Sequence, residues 1–261
     1  MKKKTNNQTN KNWNVIITQF IMVALLLGLI EYLVKDGTIS ELFLAAPTSI
    51  LDELIVYFQG TLIYRSIAVT YLEFLCGFLI SIVLGILFGI LMATIPFVNK
   101  FFKPFMSAIM AIPKVALVPL FTIWFGLGYS GKIVFVIISC FFPILFNTIS
   151  GIGQASENHL KVARVFKANR IQIVTKVLLP SAMPTIFAGI RIATAAGLMG
   201  ALFSEMMGSK EGLGNLMTTT SQLYKTGELF ALIIIITTLS IITINLVELI
   251  EKKVFLKWKE N

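Results

Sequence analysis

Six stretches of mostly apolar residues, each long enough to cross a bilayer as a helix, recur along this chain at positions 13–34, 66–93, 105–125, 133–152, 181–204 and 229–250. A hydrocarbon layer of roughly 30 Å takes about 20 apolar residues in helical form. A backbone inside that layer must satisfy its own hydrogen bonds, which leaves helices and closed barrels. Alternating apolar and polar strand patterns are absent, so the expected class is an all-α integral membrane protein. Composition agrees: 56% of the 261 residues are hydrophobic and 13% are charged, whereas soluble domains carry about 25% charged residues. The expected organisation is a tail at 1–12, a membrane domain at 13–252 with a loop at 153–180, and a tail at 253–261.

The loop at 153–180 is not an ordinary connection. It holds Lys161, Arg164, Lys167, Arg170 and Lys176, with Leu160, Ala163 and Phe166, then Ile171, Val174, Val177 and Leu178, at helical spacing. It closes on Leu179 and Pro180 and enters the fifth span. A short amphipathic helix held at both ends by membrane helices suits a docking element for a soluble partner.

Basic residues set the orientation. One set of segments holds Lys2, Lys3, Lys4, Lys11, Lys100, Lys103, the five loop residues, Lys252, Lys253, Lys257 and Lys259; the other holds Lys35, Arg65, Lys132, Lys210 and Lys225. The bias places both termini and the loop in the cytoplasm. The net charge of +9 then reflects topology, with attraction to anionic membrane lipid following from it. A basic face interleaved with aromatics, as nucleic-acid binding needs, is missing. The N-terminal lysines and apolar run resemble a signal peptide, but the run is too long and no small-x-small site precedes Glu31. It is read as the first span.

Reactive constellations are missing too. Cys76 and Cys140 fall in spans and read as small core residues. His159, the single histidine, has no metal-ligand partners, so no metal or cofactor is expected. Residues 126–132 fit the start of a phosphate-binding loop, but Ile133 stands where a magnesium-ligating hydroxyl is required. That segment reads as a glycine-rich turn with Lys132 at the membrane interface.

After Pro47, Thr48 and Ser49, the residues Ile50, Leu51, Leu54, Ile55 and Phe58 share one face behind Asp52 and Glu53. This reads as a capped surface helix on the outer side. Residues 205–228 read as an outer turn and short helix. Small residues recur every fourth position at Gly77, Ser81, Gly85, Gly89 and Ala93, and again at Gly189, Ala193, Gly197 and Ala201, which suits close helix packing. Prolines at 96, 104, 113, 119, 143, 180 and 184 end or interrupt spans. Ionisable residues inside spans are costly and often functional. Lys114, Arg191 and Glu73 are therefore candidates for a pathway or gate. For Lys114 and Arg191 the competing role is pairing with carbonyls or reaching to the interface; for Glu73 it is an interfacial side chain.

Three runs carry a family resemblance: Ile112 to Gly128, Leu179 to Arg191, and Ser204 to Gly214. Together they resemble permease subunits of ATP-binding-cassette importers of the nitrate, sulfonate, taurine and bicarbonate type. The resemblance implies a six-helix importer permease bundle with a cytoplasmic coupling helix, pairing as a homodimer. It also implies two ATPase subunits and an extracytoplasmic substrate-binding protein as partners, with sulfonate-like solutes or vitamin precursors as substrates. The ATPase-docking loop of that family reads Glu-Ala-Ala, three residues, Gly, nine residues, Ile-x-Leu-Pro. Here Lys161, Val162 and Ala163 hold the first three places, Lys167 the Gly place, and Val177, Leu179 and Pro180 the last ones. Two diagnostic residues are thus lysines. The resemblance implies that Lys161, Ala163, Arg164, Phe166, Lys167, Leu179 and Pro180 contact or position an ATPase. The competing function is a secondary carrier or channel, which ATP dependence of uptake separates from an importer; a membrane enzyme would need reactive groups that the sequence lacks.

Overall fold

The computed structural model describes residues 5–259, with side chains described for Trp13 and for residues 15–253. Lys2, Lys3 and Lys4 lie outside the described residues, as do the side chains of Lys11, Lys257 and Lys259. The chain divides into two units. One comprises Met1–Leu62 with Thr219–Ile234, and the other Ile63–Thr218 with Ile235–Asn261.

In the first unit, helix α1 (Thr5–Lys35) starts eight residues before the expected span, and its apolar side chains from Val15 to Leu29 are exposed, as lipid contact requires. Helix α2 (Pro47–Gln59) has Ala46 at its N-cap and so no side-chain cap of its own. Glu31 supplies the cap from α1: Thr48 donates its hydroxyl at 2.7 Å and its backbone N–H at 3.1 Å to the two carboxylate oxygens. A carboxylate there also faces the positive end of the α2 dipole. Along the apolar stripe of α2, Ile50 and Leu54 are half-buried while Leu51, Ile55 and Phe58 are exposed. The cap expected within the segment itself is thus corrected to one supplied by α1.

The second unit is built on α3 (Thr61–Thr94), α4 (Pro96–Ala111), α5 (Val118–Phe125), α6 (Tyr129–Gly153), α7 (Glu157–Val165), α8 (Arg170–Ile173), α9 (Leu179–Gly208), α10 (Leu213–Gln222) and the greater part of α11 (Thr226–Lys259). Its core is the contact of α6 with α9 and α3. The small-residue stripes explain it. A Cβ on Gly77 would lie 2.7 Å from Val136, one on Gly85 would lie 2.8 Å from Ile144, and one on Gly197 would lie 2.5 Å from the sulfur of Cys140. Only hydrogens fit between these backbones. Cys140 is buried and bonds the Ala193 carbonyl at 3.3 Å. Cys76, expected in the core, is instead exposed on the outside of α3.

The third expected span is broken. Its two halves, α4 and the 114–125 segment, meet at 86°. Ile112 precedes Pro113, and a residue before proline is driven from helical to extended backbone; Ile112 sits at ψ 129° and Pro113 at ψ 102°. The fifth span is longer than expected: one helix runs from Arg170 to Gly208. It includes a π-turn at Val174–Leu178. Pro180 has no N–H to give to the previous turn, which favours the wider winding there. Ser181 bonds the Val177 carbonyl at 2.7 Å with its hydroxyl.

Candidate functional site

Helix α7 is short and its ends are built by local bonds. Glu157 stands in its first turn and Arg164 in its last, both matched to the helix dipole. Lys161 lies 4.0 Å from Glu157 in an exposed pair that adds a few tenths of a kcal/mol at most. The C-terminus closes by two crossed bonds. Lys167 N–H reaches the Arg164 carbonyl at 2.9 Å and Ala168 N–H reaches the Ala163 carbonyl at 3.0 Å. This closure needs a left-handed residue at its centre, ordinarily glycine. Lys167 occupies it with φ 53°. The position where the resembled family carries glycine therefore keeps the glycine conformation in this chain, with a lysine in it. Two residues after Lys167 a new helix is nucleated by a reciprocal cap: Gln172 N–H to Asn169 Oδ1 and Asn169 N–H to Gln172 Oε1, both 2.8 Å.

These two caps correct the sequence expectation. The amphipathic helix ends at Val165, and residues from Arg170 onward belong to the long helix, so Leu179 and Pro180 lie within a helix rather than at its entry. The two helical segments also face differently. Leu160 is half-buried against the core, as is Ala163 within α7, but Phe166 is 81% exposed because the helix has ended there. Val165 is 79% and Val162 55% exposed. On a segment otherwise polar and basic, three large apolar side chains stand out in the open.

At the opposite end of α6 lies a second constellation. Lys132, expected at the interface, is buried in the first turn of α6. Its ammonium pairs with the carboxylate of the fully buried Glu73 on α3 at 2.6 Å and bonds the Ser209 hydroxyl at 2.6 Å. Glu73 is thus not an interfacial side chain. Beside it is Glu205, which sequence reasoning placed in an outer segment; it is fully buried near the end of α9. One of its carboxylate oxygens accepts from the Thr70 hydroxyl and the other from Gly214 N–H, both at 2.7 Å. Leu213 N–H bonds the same Thr70 hydroxyl at 3.0 Å. Gly212 has φ +104°, and a Cβ on it would collide with the Glu205 carboxylate. The run from Ser204 to Gly214 is therefore a clamp: a carboxylate grips a tight turn that folds back onto it, and the glycines give it room. Only the repeated glycines after Glu205 could have signalled this.

The three candidate gate residues do not converge. Glu73 joins Lys132. Arg191 pairs with Glu251 of α11, Nε to Oε2 at 3.3 Å, rather than with carbonyls. Lys114 lies in the turn between α4 and α5 with its ammonium 5.5 Å from the Phe142 ring centroid. Burying charges is costly unless each is paired, and of these residues the buried one, Glu73, is paired with Lys132.

Comparison with known proteins gives this arrangement a context. Residues 81–256 match the family described as binding-protein-dependent transport system inner membrane component. A putative aliphatic sulfonates transport permease protein of Bacillus subtilis (strain 168) is 35% identical over 60% of this chain and 57% of its own length. A riboflavin transport system permease protein of Chloroflexus aurantiacus (strain ATCC 29366 / DSM 635 / J-10-fl) is 32% identical over 60% of this chain and 58% of its own length. The match thus spans less than two thirds of either relative. Among solved structures, an amino acid ABC transporter with histidines superposes with a TM-score of 0.60 at 15% identity, over 79% of this chain and 97% of that chain. That likeness concerns the fold.

Proposed function

The chain belongs to the binding-protein-dependent transport system inner membrane component family, and on that premise we propose that it is the permease subunit of an ATP-driven importer in the cell membrane. ATP hydrolysis takes place in two separate ATPase subunits, and a second copy of the chain completes the pathway. An extracytoplasmic binding protein delivers the solute. Sulfonate-like and vitamin-like solutes both fall within the range named by the relatives, and the binding protein sets the choice. Both termini and α7 face the cytoplasm.

The observation that carries this reading is the surface of α7. Val162 and Val165 on the helix and Phe166 at its C-terminal cap are exposed beside Lys161 and Lys167. Apolar side chains held out on a charged helix suit burial in a groove of another protein. The neighbouring lysines steer an acidic partner toward it. Because α7 is joined to α6 and to the helix that carries α9, movement of an ATPase is transmitted into the core. The permease then alternates between inward-open and outward-open states according to which state its partners bind more tightly.

Phe166→Glu tests the seat. The wild-type chain should co-purify with its ATPase and show no ATP hydrolysis alone, and the substitution should abolish co-purification while the chain still elutes as folded protein. Undiminished capture of the ATPase by the variant refutes the seat. Uptake into proteoliposomes holding only this chain and an ion gradient refutes the importer in favour of a secondary carrier.

A further inference from the structure

Between α7 and the bundle lies a groove of about 750 Å³, lined on apolar walls by Ile95, Ile152, Leu160 and Val174 among others, and by the guanidinium-bearing Arg164 and Arg170. Asn99 adds an amide donor. The groove sits where α3 ends at Thr94, α4 begins at Pro96 and α6 ends at Gly153, which is the level where apolar spans give way to water. No aspartate or glutamate lines it, and among the described residues neither arginine belongs to an ion pair. Arg164 therefore lines the groove, one turn from the half-buried Leu160.

We infer that this groove binds one anionic phospholipid of the leaflet on the α7 side, its phosphate between Arg164 and Arg170 and an acyl chain along the apolar walls. Two chemistries must be met at once. A free phosphate or a carboxylate from a soluble partner uses the arginines and leaves the apolar walls wet. A neutral lipid covers the walls and leaves two cations without an anion. A phosphodiester with an attached hydrocarbon chain satisfies both, and the groove lies at the depth where the headgroup and the first methylenes meet. The basic bias of this side favours the same class of lipid. A lipid seated there packs beneath α7 and braces it. That last consequence rests on α7 being the ATPase seat; the binding of the lipid does not.

The test uses the full-length chain in detergent, stripped of lipid. Phosphatidylglycerol and phosphatidylcholine of identical acyl chains are added, and bound lipids are counted by native mass spectrometry. Arg164→Gln with Arg170→Gln should lower phosphatidylglycerol retention about tenfold or more, since each cation near an anionic headgroup is worth about a factor of five. Lys161→Gln with Lys176→Gln removes the same charge outside the groove and should change retention less than twofold. Gly153→Leu puts an apolar side chain at the groove wall and narrows it without altering charge. A Cβ there meets nothing within 4 Å, so the variant should fold and lose retention of the same lipid. Equal loss in the two double variants overturns the site in favour of a diffuse basic surface. Displacement by millimolar inorganic phosphate overturns it in favour of a small-anion site. Exclusion of the lipid by a bound ATPase assigns the groove to that partner and overturns the proposal without touching the docking role of α7.

Discussion

Replacing Lys132 by Met isolates the worth of the buried ion pair. The substitution keeps an unbranched side chain one atom shorter and removes its charge, leaving the fully buried Glu73 carboxylate without its cation. The Glu73 carboxylate is fully buried and the pair is short, at 2.6 Å, and breaking a buried pair from one side costs about 3–5 kcal/mol. For a chain of this size that lowers a melting temperature by on the order of 10 °C. The double variant Glu73→Leu, Lys132→Met puts apolar side chains of similar volume in place of both charges. It should recover most of that loss, because the desolvation of both groups is also removed. The measurement is a double-mutant cycle on Tm in detergent, with Glu73→Leu as the other corner. The Ser209 hydroxyl donates to the Glu211 carbonyl at 2.5 Å, a bond that does not involve Lys132, so the turn should stay satisfied in each variant. A cost for Lys132→Met of less than about 1 kcal/mol, or a double variant no more stable than that single one, refutes the role of Lys132 as the cation that stabilises buried Glu73.

Lys167→Gly should stabilise the C-terminus of α7. A left-handed residue with a Cβ costs about 1–2 kcal/mol, and the extra freedom of glycine in the unfolded chain returns about 0.4–1 kcal/mol of that; hydrogen exchange of the α7 amides should slow, and unchanged or faster exchange counts against the strain. In a background lacking Cys76 and Cys140, a cysteine at position 164 should react with impermeant maleimide only from the cytoplasm and one at position 210 only from outside; labelling at 164 in intact cells reverses the orientation.

Properties that depend on neighbours in the chain were legible in the sequence. Length and hydropathy located the spans, and the small-residue stripes foretold which faces pack. Periodicity found the buried side of α7 at Leu160 and Ala163. It also extended that helix past its end, because residues at helical spacing on either side of a break look alike when the break is made by backbone conformation at Lys167 and by the cap at Asn169. Partners distant in sequence were not legible. Lys132 sits beside glycines in the chain and therefore reads as a turn residue, yet its partner is 59 residues away in α3. Glu205 follows an apolar span and reads as its outer edge, while the groups that bury it are Thr70, 135 residues earlier, and a turn that has first to fold back. The broken third span lies between these cases: Pro113 announced a kink, but 86° exceeds what one missing hydrogen bond requires.

The helix from Arg170 to Gly208 has 39 residues and is therefore a rod of about 58 Å. A tilt of only about 2° around its midpoint displaces each end by about 1 Å, which suffices to take a 2.7 Å hydrogen bond beyond bonding range. Glu205 rides near the far end of this lever with two such bonds that differ in kind. The one to Gly214 joins the rod to a turn attached to that same end, so it travels with the rod. The one to Thr70 joins the rod to a different helix, α3, and must stretch. A small push at Arg170 is thus felt, some ten turns away, at the two bonds by which Thr70 of α3 holds the clamp, one to the Glu205 carboxylate and one from Leu213 N–H, while the bond from Gly214 N–H to Glu205 stays closed.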